Sequence, residues 1–139
     1  MNYAHTITVA MPFDEAIERT KQELAAQGFG VLTEIDIRAT FTTKLGAESA
    51  DAVGDYLILG ACNPPLAEQA LAADPDMGLL LPCNVVIRRS QSAETTTVQA
   101  INPQTMVQLS KVAAVQAVAD QADERLRAAL EAIEGSSTS

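Results

Sequence analysis

The sequence predicts one α+β domain in which an antiparallel or mixed sheet carries its two main helices on one face. Five segments show the alternation or the continuous apolar run of strands, and two long segments repeat apolar residues at helical spacing. Their order is β-α-β-(α)-β-(α)-β-β-α, with two short helices between strands. A chain of 139 residues suits a single core. We expect the domain to span residues 1–135 and a disordered tail to follow over 136–139.

The first half of the chain begins with a strand, because His5, Ile7 and Val9 alternate with polar residues. The helix after it is predicted to end at a left-handed Gly28, followed by an apolar Phe29. The next strand should have one buried and one wetter face, because Val31, Thr33, Ile35 and Ile37 alternate with Leu32, Glu34, Asp36 and Arg38. In chain order we expect a strand over 3–10, a helix from Pro12 to Gly28, a strand over 31–38, a short helix over 39–45 and a loop over 47–55.

The second half contains three further strands and two further helices. Asn63 suits the cap of the first of these helices, and Pro65 suits its first residue. Gly135 is the predicted stop of the last helix. In chain order we expect a strand over 56–62, a helix over 65–73, a strand over 83–89, a turn over 90–94, a strand over 95–101 and a long helix from Asn102-Pro103 to Glu134.

The charge and hydropathy of the chain exclude several function classes. A net charge of −9 works against nucleic acid, whose affinity for proteins comes mostly from Lys and Arg, and against anionic membranes. No apolar run approaches the roughly 20 residues of a membrane span. The N-terminus reaches acidic residues early and has no basic segment typical of a secretory signal. We therefore expect a cytoplasmic protein whose thiols are reduced.

The only two cysteines stand in similar surroundings, Cys62-Asn63-Pro64 and Pro82-Cys83-Asn84. A parallel return between their strands would have to cover roughly 23 Å, at about 3.3 Å per residue. The helix of about nine residues between them covers only about 13 Å. An antiparallel return fits better, and it brings both Cys-Asn pairs to one edge of the sheet, near the N-terminus of the helix at Pro65.

Such a corner allows more than one function. A helix N-terminus favours the thiolate, so the cysteines could be reactive, and the asparagines could hold a polar ligand. Equally, the cysteines could be packed as small apolar residues, with Asn next to Pro as ordinary turn chemistry. Two cysteines alone do not complete a zinc site. His5, the sole histidine, is expected to be a packed core residue rather than a ligand.

Other chemistry-bearing patterns are weaker. Glu34 and Asp36 share one face of a strand, where they form either a carboxylate pair or part of a solvated face. The last helix is expected to have a solvated face that carries Asp120, Asp123, Glu124 and Arg125. We find no Gly-rich phosphate loop and no Ser-His-Asp arrangement. No catalytic residue, cofactor or metal site is predicted.

Three stretches carry a resemblance that covers nearly all of the chain, from the first strand into the last helix: GFGVLTEIDIRATFTTKLG, LGACNPPLAEQAL and ADPDMGLLLPCNVVIRR. They closely resemble domain-of-unknown-function family 302 of bacteria and archaea. The resemblance implies an α+β fold of order β-α-β(4)-α, like one repeat of the TATA-box-binding protein, and a homodimer. It implies no activity. The matching motif positions are Gly28, Phe29, Gly46, Gly60, Cys62, Asn63, Pro64, Asp74, Pro75, Gly78, Pro82, Cys83 and Asn84.

These observations favour a small homodimer without its own chemistry, which binds a small molecule or a protein partner. The alternative is a thiol-dependent redox or metal-handling protein that uses Cys62 and Cys83. A third hypothesis is an acid-base enzyme built around Glu34 and Asp36. The predicted binding or redox site consists of Cys62, Asn63, Pro64, Pro82, Cys83 and Asn84.

Overall fold

The structure, a computed structural model, describes residues 2–137. Its strands are β1 (Ala4–Val9), β2 (Gly30–Asp36), β3 (Asp55–Cys62), β4 (Cys83–Arg89) and β5 (Thr96–Ile101). Its α-helices are α1 (Phe13–Ala26), α2 (Ile37–Leu45), α3 (Ala47–Val53), α4 (Pro64–Ala73), α5 (Gln104–Leu109) and α6 (Val115–Ser137), and a 3₁₀ helix spans Pro75–Leu80. None of the helices within residues 2–137 is both long enough and apolar enough to cross a membrane.

All five strands form one antiparallel sheet in the order β1-β5-β4-β3-β2, which confirms the predicted α+β class. Helices α1 and α6 pack against each other and against one face of this sheet. Alternate residues of each strand point towards these helices, as the two-residue period requires. The main core is formed by buried residues of the sheet and both helices, among them Leu24, Leu59, Val85, Ile87, Val98, Leu126 and Ile133.

A second, smaller core lies beyond the ends of β3 and β4. It is built from α4, the 3₁₀ helix, α5 and the first half of α6, and it contains Leu66, Ala70, Met77, Met106, Val115, Val118 and Ala122. Helices α4 and α5 reach the rest of the molecule mainly by packing on α6. The second core therefore stands beside the predicted cysteine corner.

The other face of the sheet, which we call the open face, carries partly exposed side chains. One row crosses all five strands, because Ile35 pairs with Ile58, Ile58 with Val86, Val86 with Gln99 and Gln99 with Thr6. The first three positions of this row are apolar. The last two are polar and hydrogen-bonded to each other, with Gln99 Nε2 donating to Thr6 Oγ1 at 3.1 Å.

Strand β2 contains a bulge that the alternation pattern does not reveal. Val31 pairs with Ala61 and Thr33 with Gly60, so that Leu32 is the extra residue. A bulge inverts the facing of everything beyond it. The prediction that Val31, Thr33 and Ile35 share one face is therefore wrong: Val31 faces α1 and α6, whereas Thr33 and Ile35 lie on the open face.

The predicted loop over 47–55 is wrong, because this stretch contains α3 and the start of β3. Gly46 and Gly54 bracket α3 with positive φ angles of 102° and 73°. The helix is short and buries only Ala50. It therefore lacks the apolar period by which an amphipathic helix is recognised in a sequence.

The predicted long C-terminal helix is interrupted between α5 and α6. Ser110 donates its hydroxyl to Asp74 Oδ2 at 2.6 Å and accepts the N–H of Val112 at 3.3 Å. Such side-chain bonds compete with helical backbone pairing. The single-helix prediction is therefore wrong.

The predicted stop at Gly135 is also wrong. Gly135 is not among the glycines with positive φ, so it forms no left-handed cap, and α6 continues to Ser137. Of the tail predicted over 136–139, the first two residues are thus helical, and residues 138–139 lie outside the described part of the chain.

Candidate functional site

The two cysteines lie at the same edge of the sheet. β3 and β4 are antiparallel neighbours, and Ala61 pairs with Cys83, so Cys62 follows directly after the partner of Cys83. The predicted antiparallel return is confirmed. Both cysteines are free thiols; Cys83 is buried and Cys62 half-buried.

Both thiols line one cavity of about 270 Å³ between the sheet edge and the second core. Its wall is almost entirely apolar, with the side chain of Asn63 as the polar exception. Leu32, the bulged residue of β2, and Leu71 of α4 also line it and are 66% and 42% exposed. These leucines place the opening at the protein surface. The inner wall includes Phe29, Leu66, Ala70, Met106, Val118 and Ala122.

The N-terminus of α4 beside the cavity offers no free N–H group for an anion. Pro64 and Pro65 have no N–H, and the N–H of Leu66 donates to Asn63 Oδ1 at 3.3 Å. The N–H of Ala67 donates to the carbonyl oxygen of Asn63 at 2.9 Å. Asn63 is the predicted helix cap. Because it accepts the N–H groups at the start of α4, these groups are not available to a ligand.

Burial decides the chemistry of Cys83. Its side chain points into the main core and is 6% exposed. This burial raises the pKa of the Cys83 thiol to about 11, and the neighbouring Cys62 adds to the shift. The expectation that the helix N-terminus favours the thiolate is wrong for Cys83, which is a neutral thiol at pH 7.

The structure brings four of the six predicted site residues together. Pro64, the first residue of α4, is exposed and does not line the cavity. Asn84 is exposed on the open face, where it borders a shallow groove with Tyr56 and Gln99. It points away because it directly follows the inward-facing Cys83 in β4. The four that line the cavity are Cys62, Asn63, Pro82 and Cys83.

A further polar spot adjoins the cavity at Gly28, the end of α1. Gly28 has the predicted left-handed conformation, with φ of 85°. A Cβ atom there would lie 3.0 Å from Asn63 Nδ2 and 3.3 Å from Arg125 Nη1. Sequence reasoning placed Arg125 on a solvated face. No sequence signal relates it to Asn63, because only the packing of α6 against the end of α1 brings them together.

The carboxylates of β2 stabilise the fold. Glu34 and Asp36 lie on the same side of the strand, as predicted. Glu34 pairs with Lys21 of α1 at 2.8 Å, and this hydrogen bond raises the pKa of Lys21. Asp36 caps α2 by accepting the N–H of Ala39 at 2.9 Å. Each carboxylate thus has a structural partner, which weakens the acid-base hypothesis.

His5 lies on the helix-covered side of β1, but it is partly exposed rather than fully packed. Its Nε2 is 2.6 Å from Asp123 Oδ1, and the two side chains are 24% and 15% exposed. The prediction that Asp123 belongs to a solvated face is therefore wrong. Within residues 2–137, no three His, Cys, Asp or Glu side chains are grouped so that they could hold a metal ion.

Comparisons with known proteins agree with the sequence motifs. Residues 5–133 match the family model described as domain of unknown function DUF302. A search of curated proteins finds no match. Among solved structures, the chain is similar to the crystal structure of an uncharacterized conserved DUF302 protein from Bacillus stearothermophilus. Identity is 29%, the TM-score is 0.81, and the match covers 94% of this chain and 98% of that chain. The chain therefore belongs to the DUF302 family.

Proposed function

We propose that this protein is a cytoplasmic homodimer that binds a small, largely apolar molecule in the cavity beside Cys62 and Cys83, without chemistry of its own. The observation that carries the proposal is the cavity itself, about 270 Å³ of space with an apolar wall. An engineered apolar cavity of about 150 Å³ binds benzene. The space here suits a larger ligand, such as a bicyclic ring or a medium-length alkyl chain.

The chemistry of the wall supports binding over catalysis. Cys83 stays protonated at neutral pH, and Asn63 is committed to capping α4. Apolar burial alone is worth about 25 cal/mol per Å², which is enough to hold a ligand without any bond-making group. With a net charge of −9, neither nucleic acid nor an anionic membrane is a proposed partner.

The redox or metal-handling alternative depends on Cys62, the more exposed thiol. It is tested by brief treatment with iodoacetamide at pH 7, followed by mass spectrometry of the peptides. The binding proposal expects Cys83 to remain unmodified until the protein is denatured. Rapid modification of both thiols in the native protein would favour the redox alternative.

The homodimer is proposed on the apolar part of the open face, where Ile35, Ile58 and Val86 lie side by side in three neighbouring strands. Apolar residues grouped on a sheet face are typical of a protein interface. A second copy of the chain is the proposed partner, in keeping with the expectation from the family. We also propose the TATA-box-binding-protein-like fold, which is supported by the order β-α-β(4)-α of β1, α1, the other four strands and α6.

A binding experiment tests the cavity. N-phenyl-1-naphthylamine, a neutral fluorophore made of a naphthyl and a phenyl group, is titrated into the wild type, into Ala67→Trp and into Ala72→Trp. Ala67 lines the cavity, whereas Ala72 is exposed elsewhere on the same helix. We expect saturable fluorescence enhancement in the wild type and in Ala72→Trp, and its loss in Ala67→Trp. Failure of the wild type to bind the probe, or equal binding by both variants, would overturn the proposal.

A further inference from the structure

We infer that the ligand of this cavity is a monocarboxylate with an apolar tail, its carboxylate held between Asn63 Nδ2 and Arg125 beside Gly28. The inference rests on the proposed function and adds the polar end of the ligand. Its basis is the convergence beside Gly28 of an amide donor from the cavity wall, which has no protein acceptor, and a cation from the adjoining groove.

The amide nitrogen of Asn63 is the first donor. The capping bond from the Leu66 N–H to Oδ1 fixes the orientation of the amide, so that Nδ2 is the end directed at Gly28. The residue is 5% exposed. Among the residues that the structure describes, no acceptor is hydrogen-bonded to this nitrogen. Nδ2 itself keeps contact with solvent, so a ligand oxygen at this point replaces water and gains a bond that the protein alone does not make.

The guanidinium of Arg125 is the second donor. Its Nη1 donates to the carbonyl oxygen of Gln27 over a long 3.4 Å, and within residues 2–137 it forms no ion pair. Both nitrogens lie within 3.3 Å of the point where a Cβ of Gly28 would stand. In a chain of net charge −9, a local cation is what makes a site for an anion possible.

The polar spot adjoins the cavity, with Arg125 lining the neighbouring groove together with Gln27 and Glu124. Asn63 belongs to both the polar spot and the cavity, and Phe29, next to Gly28, forms part of the cavity wall. On α6, Ala122 lines the cavity and Arg125 follows it by three residues, which places both on the same side of the helix. A ligand with its carboxylate at Gly28 therefore directs its tail along the apolar wall.

Isothermal titration calorimetry at pH 7 with octanoate and with 1-octanol tests this inference. We expect octanoate to bind more tightly than octanol. Arg125→Gln should weaken octanoate about fivefold, in line with a partly exposed ion pair, and leave octanol unchanged. The matched control is Arg127→Gln, which removes the same charge from the same helix at a position that borders the groove of Gln104 and Asp120 and does not approach Gly28. It should change neither affinity by more than about twofold.

A second variant probes the amide. Asn63→Asp keeps the cap of α4, because Asp and Asn are equivalent at that position, but it replaces the donor with a negative charge. We expect at least about a tenfold loss of octanoate affinity from repulsion. Octanol affinity should fall less than octanoate affinity, because the alcohol carries no charge. Across hexanoate, octanoate and decanoate, each added methylene should tighten binding about fourfold until the cavity is full.

The outcomes separate the two proposals. If the neutral fluorophore binds and octanoate does not, or if octanoate binds with no dependence on Arg125 and Asn63, the carboxylate inference is overturned while the cavity proposal stands. If neither the fluorophore nor octanol nor octanoate binds, the cavity proposal itself fails.

Discussion

At the residue scale, the burial of each cysteine depends more on the residues packed around it than on its neighbours in the sequence. The motif around Cys62 and Cys83 was enough to predict that they meet at a helix N-terminus. It was not enough to predict which thiol would be buried. That outcome depends on the phase of β4, in which Cys83 shares the inward side with Val85 and Ile87. The alternation of residues shows which of them share a face of the strand. Which of the two faces is buried depends on the helices that pack against the sheet.

The Cys83 thiol makes stability fall above pH 9. Its pKa is about 11 in the folded protein and 9.0 as the ordinary value. Below pH 9 both states keep the proton; between pH 9 and 11 only the unfolded state loses it, so unfolding becomes easier as pH rises. The free energy of unfolding should fall by roughly 2–3 kcal/mol over this pH range.

Urea unfolding at several pH values between 8 and 11 measures this effect. The free-energy difference between the wild type and Cys83→Ala should shift by about that amount, in favour of the variant, across this range. Parallel pH curves for the two proteins would show that Cys83 does not titrate as described.

Gly60 is needed because two side chains lie over it. A Cβ there would overlap Thr33 Oγ1 and would stand 2.9 Å from Pro82 Cγ. We expect Gly60→Ala to lower the free energy of unfolding by about 2 kcal/mol, a typical cost of overpacking. In a Thr33→Ala background the loss should be smaller, since one of the two obstructions is gone.

Chemical denaturation of the four proteins in this cycle gives the coupling between positions 33 and 60. Gly30→Ala is the control: it adds the same methyl group to β2, where nothing lies within 4 Å. An equal loss for both glycine variants would mean that backbone preference, and not the packing of Thr33 and Pro82, sets the cost.

At the element scale, sequence patterns located the long amphipathic helix α1, the capped helix α4 and all five strands. They missed features that depend on contacts between distant segments. The break between α5 and α6 is an example, because Ser110 is drawn to Asp74 at the end of α4. The bulge at Leu32 is another, since it shows only in the pairing of β2 with β3. Neither leaves a local signature in composition or period.

The Asp74–Ser110 hydrogen bond should stabilise the second core. Asp74 caps the 3₁₀ helix through Oδ1 and accepts the Ser110 hydroxyl through Oδ2, so it links α4 to the α5–α6 connection. Ser110→Ala should lower the free energy of unfolding by about 1–2 kcal/mol, because it leaves a partly buried carboxylate oxygen without its donor. Ser92→Ala, in an exposed turn, is the matched control and should stay within about 0.5 kcal/mol of the wild type.

Hydrogen exchange locates the effect. In Ser110→Ala, amides of α4 and α5 should exchange faster, while those of β3 and β4 keep their protection. Uniform acceleration across the sheet would contradict a local role for this bond.

At the scale of the whole molecule, the order of elements and the antiparallel return after β3 were predictable, since both follow from strand length and connection length. The wall of the cavity was not. Its residues come from six separate elements and the loops beside them, and of these residues only Cys62, Asn63, Pro82 and Cys83 were predicted to form a site. Arg125 carries no such pattern, and Gly28 was predicted only as a helix stop; their nearness to Asn63 shows only in the packing.

The proposed dimer should depend on the apolar row of the open face. Light scattering of the wild type is expected to give about twice the monomer mass of 14.7 kDa. Ile58→Asp, at the centre of the row, should give the monomer mass, because an unpaired carboxylate in an apolar interface is costly. Thr8→Asp, on the exposed edge strand β1, is the control and should remain dimeric. A wild type that is monomeric at micromolar concentration would rule out this assembly.

The single extra residue at Leu32 also determines where the chain tolerates changes in length. Before Leu32, Val31 points towards the helices. After Leu32, Thr33 points to the open face and Glu34 towards the helices, which is the opposite of simple alternation from Val31. A one-residue deletion there would rotate Thr33 off Gly60 and Glu34 away from Lys21 together. The exposed turn between β4 and β5 imposes no such coupling. Insertions and deletions should therefore be accepted in that turn and rejected at position 32, although both sites lie at the surface.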